Sequence, residues 1–150
     1  MLFRSLDGLA ASGPDLPIAV VLDLAGRDKY VTEGAEPTFG AGFLGYGLLW
    51  DVEGDDEYGG RFDSVAAACL GVGLIYDGSG NDSYESISSS QASATLGSAL
   101  LVDAAGDDHY YAFRASQSYA SYRAASLLAD LAGADIYEAE DDKVDRKSVV

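Results

Sequence analysis

From residue 18 onward the chain sets large apolar residues against small ones at alternate positions, in short runs that each close on a group of acids. Leu44-Gly45-Tyr46-Gly47-Leu48 and Leu70-Gly71-Val72-Gly73-Leu74 are the clearest cases, with a period of two and not 3.6. The pattern predicts strands. Glycine also disfavours a helix by about 1 kcal/mol at each position, so two in five residues point the same way. One run departs from the others: Gln117 to Asp130 (QSYASYRAASLLAD) has lost its glycines and is compatible with a helix.

The runs belong to a repeat of the form D-x-x-G-x-D-x-Y, present five times and starting at Asp23, Asp51, Asp77, Asp103 and Asp130. The starts are 28, 26, 26 and 27 residues apart. Similarity continues upstream of each acidic segment. Two adjacent columns are apolar: Val20, Leu48, Leu74, Leu100 and Leu127, then Val21, Leu49, Ile75, Leu101 and Leu128. Both read as packing ladders. Two further columns are small: Gly45, Gly71, Gly97 and Ala124, and Ala19, Gly47, Gly73, Ala99 and Ser126. The organisation expected is a single repeat domain, with 1–17 as an N-terminal cap or connector, 18–137 as five repeats and 138–150 as a charged tail.

A unit of one or two strands, an acidic turn and a return segment is most simply one coil of a solenoid. The fold expected is therefore all-β, a parallel β-solenoid (β-helix) of about five coils, with a helical or irregular C-terminal cap as an option and a strand-plus-helix repeat of the leucine-rich type as runner-up. Coils would rise by about 4.8 Å. Stacking them places Asp23, Asp51, Asp77, Asp103 and Asp130 in one column and Asp28, Asp56, Asp82, Asp108 and Asp135 in a second. Carboxylates at that spacing repel by about 3 to 4 kcal/mol per pair at an effective dielectric near 20. Backbone N–H donors, protonation or bound cations can relieve this. Calcium fits best, because it accepts six to eight oxygen ligands at about 2.3 to 2.6 Å in flexible geometry. All ten aspartates are thus candidate calcium ligands, in up to four sites between coils. The competing reading makes them Asx-turn acceptors with no metal.

Gly26, Gly54, Gly80, Gly106 and Gly133 sit between the paired aspartates, where a turn needs positive φ or room for exposed carbonyls. Tyr30, Tyr58, Tyr84, Tyr110 and Tyr137 fall two residues after the second aspartate, on one strand face, and are expected to stack as an aromatic ladder in the core. The segment DGSGNDSY from Asp77 resembles the G-G-x-G-x-D-x-U-x nonapeptide of RTX proteins, with Gly80, Asp82 and Tyr84 on its glycine, ligand and inward apolar positions. The other four copies match likewise. This resemblance covers the eight-residue turn and implies a calcium-binding β-roll corner.

Composition then removes whole classes of function. With 9 Lys and Arg against 25 Asp and Glu, net charge -16, the chain has no basic footprint for nucleic acid or an anionic membrane. No run approaches the ~20 apolar residues that span a bilayer, and no signal peptide is visible. One His and one Cys exclude His- or thiolate-rich zinc sites and Cys-His or Ser-His-Asp catalysis. Five near-equivalent copies also argue against the two differently tuned acids that catalysis needs.

The expectation is a non-enzymatic, calcium-stabilised structural or adhesive module with Ca2+ as cofactor. An extracellular or cell-surface setting is suspected, with the cytoplasm left open. Two alternatives stand beside it: a parallel β-helix polysaccharide hydrolase or lyase using carboxylates, and an ice-binding or self-associating scaffold. The small-residue columns either face a narrow interior or form a Gly/Ala-rich flat face for homo-oligomerisation. Gln91 and Gln117, with Ser90 and Ser116, suggest a polar ladder, and Asp55, Glu57, Asp107, Asp141 and Asp142 read as surface charge.

Overall fold

The computed structural model describes residues 11–140 apart from 33, 35 and 36. The strands among them, in chain order, are β1 (Ile18–Leu22), β2 (Lys29–Val31), β3 (Gly42–Phe43), β4 (Tyr46–Trp50), β5 (Glu57–Phe62), β6 (Ala68–Cys69) and β7 (Val72–Asp77). Then follow β8 (Ser83–Ser88), β9 (Ala94–Thr95), β10 (Ser98–Asp103), β11 (His109–Arg114), β12 (Ala120–Ser121), β13 (Ala125–Asp130) and β14 (Ile136–Ala139). They stack into three parallel sheets: β1-β4-β7-β10-β13, β2-β5-β8-β11-β14 and β3-β6-β9-β12. The chain is an all-β parallel solenoid of about five coils; among the described residues the first four pass once through every face and the last through two.

Register follows the repeat residue for residue. Tyr30, Tyr58, Tyr84, Tyr110 and Tyr137 pair in sequence along one sheet, and Asp77, Asp103 and Asp130 along another. The unequal spacings are absorbed at corners. The offset between the first two coils falls from 28 at Tyr30 and Tyr58 to 26 at Thr38 and Ser64, and an extra residue enters the last coil between Ser121 and Ala125. The acidic corner itself keeps one length throughout.

Alternation decides what is buried. Leu49, Ile75 and Leu101 point inward, with Val21 and Leu128 packed against the same core at its two ends. The neighbouring column of Val20, Leu48, Leu74, Leu100 and Leu127 points outward, so only one of the two apolar columns is a core ladder. Consecutive residues on a strand face opposite ways, and both could not be inside. Gly47, Gly73 and Ala99 are buried. A Cβ on Gly47 or Gly73 would strike the Ala41 or Ala67 carbonyl across the narrow interior, so this column takes the interior reading, whereas a Cβ on Gly71 or Gly97 would meet the carbonyl of the glycine one coil earlier.

The tyrosine ladder forms as expected. Ring centroids lie 5.0, 4.7, 4.6 and 4.6 Å apart from Tyr30 to Tyr137. Such stacking adds about 0.5 to 1.5 kcal/mol per pair beyond area burial. The polar ladder forms too: Gln91 Nε2 donates to the Tyr84 and Tyr111 carbonyls at 3.0 and 2.7 Å, and Gln117 Nε2 to those of Tyr110 and Glu138 at 3.2 and 3.1 Å. Ser90 and Ser116 accept the Ser64 and Ser90 amides.

The helix considered for 117–130 is not formed. Ala125 to Asp130 pair with Ser98 to Asp103 as β13 on β10, because the exposed edge of β10 offers a full row of backbone partners that outweighs local helix preference. Strand β14 runs to Ala139, two residues past the expected end of the repeats. The expected cap segment 1–10 and tail segment 141–150 lie outside the described residues.

Candidate metal centre

Each acidic corner joins a long strand to its successor, β1 to β2 through β13 to β14. The first aspartate of a repeat occupies the last inward position before the corner. Asp51, Asp77 and Asp103 are accordingly buried, although the residues flanking them face solvent. The second aspartate reaches back under the corner, and Asp56, Asp82 and Asp108 are buried too. A Cβ on Gly80, Gly106 or Gly133 would overlap the carbonyl oxygen of the corner glycine one coil earlier. The glycine column therefore exists for close coil-to-coil approach.

Half of the carboxylate oxygens are satisfied by donors within the fold. The amides of Asp28, Asp56, Asp82 and Asp108 donate to Oδ1 of Asp56, Asp82, Asp108 and Asp135 in the following coil, at 2.6, 2.6, 2.7 and 3.0 Å. Each second aspartate thus caps the backbone of its counterpart one layer below. The first aspartates take hydroxyls: Tyr30 donates to Asp51 Oδ2 at 2.6 Å, Tyr58 to Asp77 Oδ2, and Tyr84 to Asp103 Oδ2 at 2.8 Å. The tyrosine column is therefore both core and donor row. Asp23 Oδ1 and Asp77 Oδ1 also accept the amides two residues on, from Ala25 and Ser79, as Asx turns.

Carboxylate oxygens from adjacent coils also converge. Asp56, Asp77 and Asp82 bring one oxygen each within 4.8 Å of one another, as do Asp82, Asp103 and Asp108, and then Asp108, Asp130 and Asp135. Each trio combines the first aspartate of one coil with the second aspartates of that coil and the coil before. Oδ2 of Asp56, Asp82 and Asp108, with Oδ1 of Asp51 and Asp103, are buried and have no hydrogen-bond partner. Of the ten candidate ligands, seven enter a trio. Asp23, Asp28 and Asp51 do not, so among the described residues three of the four expected gaps carry a cluster.

Burial makes these groups poor anions. Desolvation, reinforced by neighbouring aspartates, pushes Asp82 up to about 9, Asp56 and Asp108 up to about 7, and Asp77 up to about 6. Asp51, Asp103 and Asp130 are raised for the same first reason. Tyr58 and Tyr84 are held far above the ordinary phenol value by burial, so they stay protonated and donate.

No family model, curated protein or solved structure matches this chain. The site is read from its own chemistry. Sequence reasoning missed one element of it. Asp55, Asn81 and Asp107, taken as surface acids where they were noted, form an outer ladder in which the amides of Asn81, Asp107 and Ala134 donate to the side chain one coil earlier, at 2.9, 3.0 and 2.9 Å. Its donors point the opposite way to those of the inner ladder. The signal available was the recurrence of Asp or Asn immediately before the second aspartate of the three middle repeats.

Proposed function

We propose that the chain is a non-enzymatic, calcium-stabilised solenoid module in which divalent cations bridge adjacent coils at the acidic corner. The observation that carries this reading is the set of three aspartate trios, each with at least one buried carboxylate oxygen that no donor satisfies. A hard cation takes oxygen ligands of this kind, and calcium tolerates the irregular shell that three carboxylates and nearby carbonyls would supply. Asp56, Asp77 and Asp82 would hold one ion, Asp82, Asp103 and Asp108 a second, and Asp108, Asp130 and Asp135 a third. Binding free energy at such sites is folding free energy, so the module would be firmest where calcium is millimolar, outside the cell. The RTX-like form of the corner supports the same assignment.

A second reading has its own support: the acids stay protonated, each holding a shared proton in place of metal. The upward push on Asp82 to about 9 favours it. The carboxylate hydrolase alternative is less well supported, because Asp77, Asp82, Asp103 and Asp108 are buried and offer no open cleft between two acids. Melting curves in EDTA and in calcium, with elemental analysis of the purified protein, separate the first two readings. Calcium binding predicts co-purifying metal and a higher Tm in calcium. Identical melts with no bound metal would leave the protonated column as the reading.

A further inference from the structure

The outer face of the β1-β4-β7-β10-β13 sheet is apolar. Three positions per strand point outward, none of them is charged, and Ser98 is the only one neither aliphatic nor aromatic. Val20 and Leu127 at the two edges are 60% and 49% exposed, and Trp50 stacks on Tyr76 at 4.4 Å on the surface. Beyond the strands the patch continues onto exposed Leu44, Leu70 and Leu96 at one corner and onto Leu24, Val52 and Leu131 at the other. Five strands at about 4.8 Å and eight residues at about 3.3 Å give a footprint of about 600 Å², the top of the range that monomers leave uncovered.

We propose that this face is a dimer interface between two copies of the chain, packed sheet on sheet. Two copies would bury about 1,200 Å² in all, the lower bound for a specific, stable pair. Shape favours a second copy as the occupant. In the two outer columns of the face side chains are large in the early coils and small in the late ones: Ile18 and Leu22 lie on β1, whereas Ala125 and Ala129 occupy the matching places on β13. A two-fold axis along β7 turns one copy over so that its first coil meets the partner's fifth. Leu22 then faces Ala129, Trp50 faces Val102 and Tyr46 faces Ser98, large on small in the two outer columns, while Leu48 faces Leu100 in the middle column and Leu74 and Tyr76 meet their own counterparts on the axis. That is the self-complementarity an isologous contact requires. The face is also free of the acids that dominate the rest of a chain with net charge -16, so association removes apolar surface without opposing like charges across the contact.

Sedimentation of the full chain over about 1 to 100 µM, at about 150 mM salt, tests the proposal. The wild type is expected to dimerise with a blue shift of Trp50 emission as the half-exposed indole is covered. Leu74→Glu, which brings two carboxylates together on the axis, should weaken the dimer at least tenfold with an unchanged circular dichroism spectrum. Val102→Trp should weaken it too, by setting a large residue against Trp50, and it does not depend on the folding of the Leu74→Glu chain. A wild type monomeric throughout would overturn the proposal, as would folded variants that dimerise as well as the wild type. Binding of the monomer to zwitterionic phosphatidylcholine vesicles through the same residues, without dimerisation, would also overturn it and assign the face to lipid.

Discussion

Asp82→Asn places the sharpest test at the centre of the acidic column. Asparagine keeps the Oδ1 acceptor that receives the Asp56 amide at 2.6 Å and nearly the same volume, so the backbone ladder survives while the charge is removed. Asp82 belongs to two of the three trios. In metal-free protein its carboxyl is pushed from 3.8 up to about 9. A folded value above the unfolded one means that the native state keeps a proton the unfolded chain releases. Its contribution to stability is complete below about pH 4 and is lost as pH rises through 9. At about pH 7.5, folding must take up that proton or bury a charge, at 1.36 kcal/mol per pH unit above the unfolded value, an upper bound of about 5 kcal/mol.

The corner lies close to water, and screening reduces this to about 2 to 3 kcal/mol. Asparagine carries no such cost. In EDTA, Asp82→Asn is therefore expected to raise Tm by about 5 to 10 °C, at 2 to 4 °C per kcal/mol for a chain of this size. Calcium turns the comparison around. Removing a carboxylate from two sites and weakening each hundredfold would forfeit about 2.7 kcal/mol of linkage per site, so calcium should raise the wild-type Tm and lift the variant by less than half as much. Differential scanning calorimetry in EDTA and in excess calcium reads both effects. Equal calcium shifts in the two proteins would refute the ligand assignment, and a variant less stable than wild type in EDTA would refute the burial argument.

The remaining predictions use the same corner. In EDTA the wild-type Tm should be highest near pH 4 and fall from there until Asp77, Asp56, Asp108 and Asp82 have ionised between about 6 and 9, whereas calcium should flatten that fall; Tm against pH in the two buffers checks it. Tyr84→Phe keeps the ring stack but withdraws one of the two hydroxyls that donate to Asp103 Oδ2, at 2.8 Å, while that of Tyr110 stays at 3.2 Å, and should cost about 1 kcal/mol by urea unfolding. Gly80→Ala drives a Cβ into the Gly54 carbonyl and should cost about 3 kcal/mol or prevent folding, while Gly13→Ala, with open space around it, should be silent in the same assay.

Much of the fold was legible because stacking forces identical residues into register, and five copies of D-x-x-G-x-D-x-Y display that register directly. Period two then fixed strands, and Tyr30 to Tyr137 fixed a ladder. What escaped was information the pattern does not carry. Nothing in adjacent apolar columns says which one faces in; the inward set is decided by Asp77 and Asp103 sharing a strand face with Ile75 and Leu101. The corners at Leu44, Leu70, Leu96 and Tyr122 were also hidden, because these residues, and not the glycines that follow three of them, adopt φ of 52 to 54°. Left-handed backbone costs such residues about 1 to 2 kcal/mol, and here the neighbouring coils hold it. At the site, seven of the ten aspartates gather into trios. The tyrosine hydroxyl and backbone donors to those acids depend on coil-to-coil offsets that only coordinates supply.

The buried acids also explain why the register is unique. The alternation alone permits a slip of two residues, since Val21, Leu49 and Ile75 would still face inward over the small column of Ala19, Gly47 and Gly73, although they would crowd the carbonyls for which those glycines leave room. The acidic corner tolerates none. A slip of two would take Asp82 Oδ1 from the Asp56 amide, part Asp77 from the Tyr58 hydroxyl, and drive a side chain into the space kept by Gly80. Several buried charges would lose their donors together, at about 1 to 3 kcal/mol or more for each group. Hydrophobic burial supplies most of the driving force for stacking coils. The aspartates, which weaken that stack whenever they must ionise without a cation, determine which stack forms.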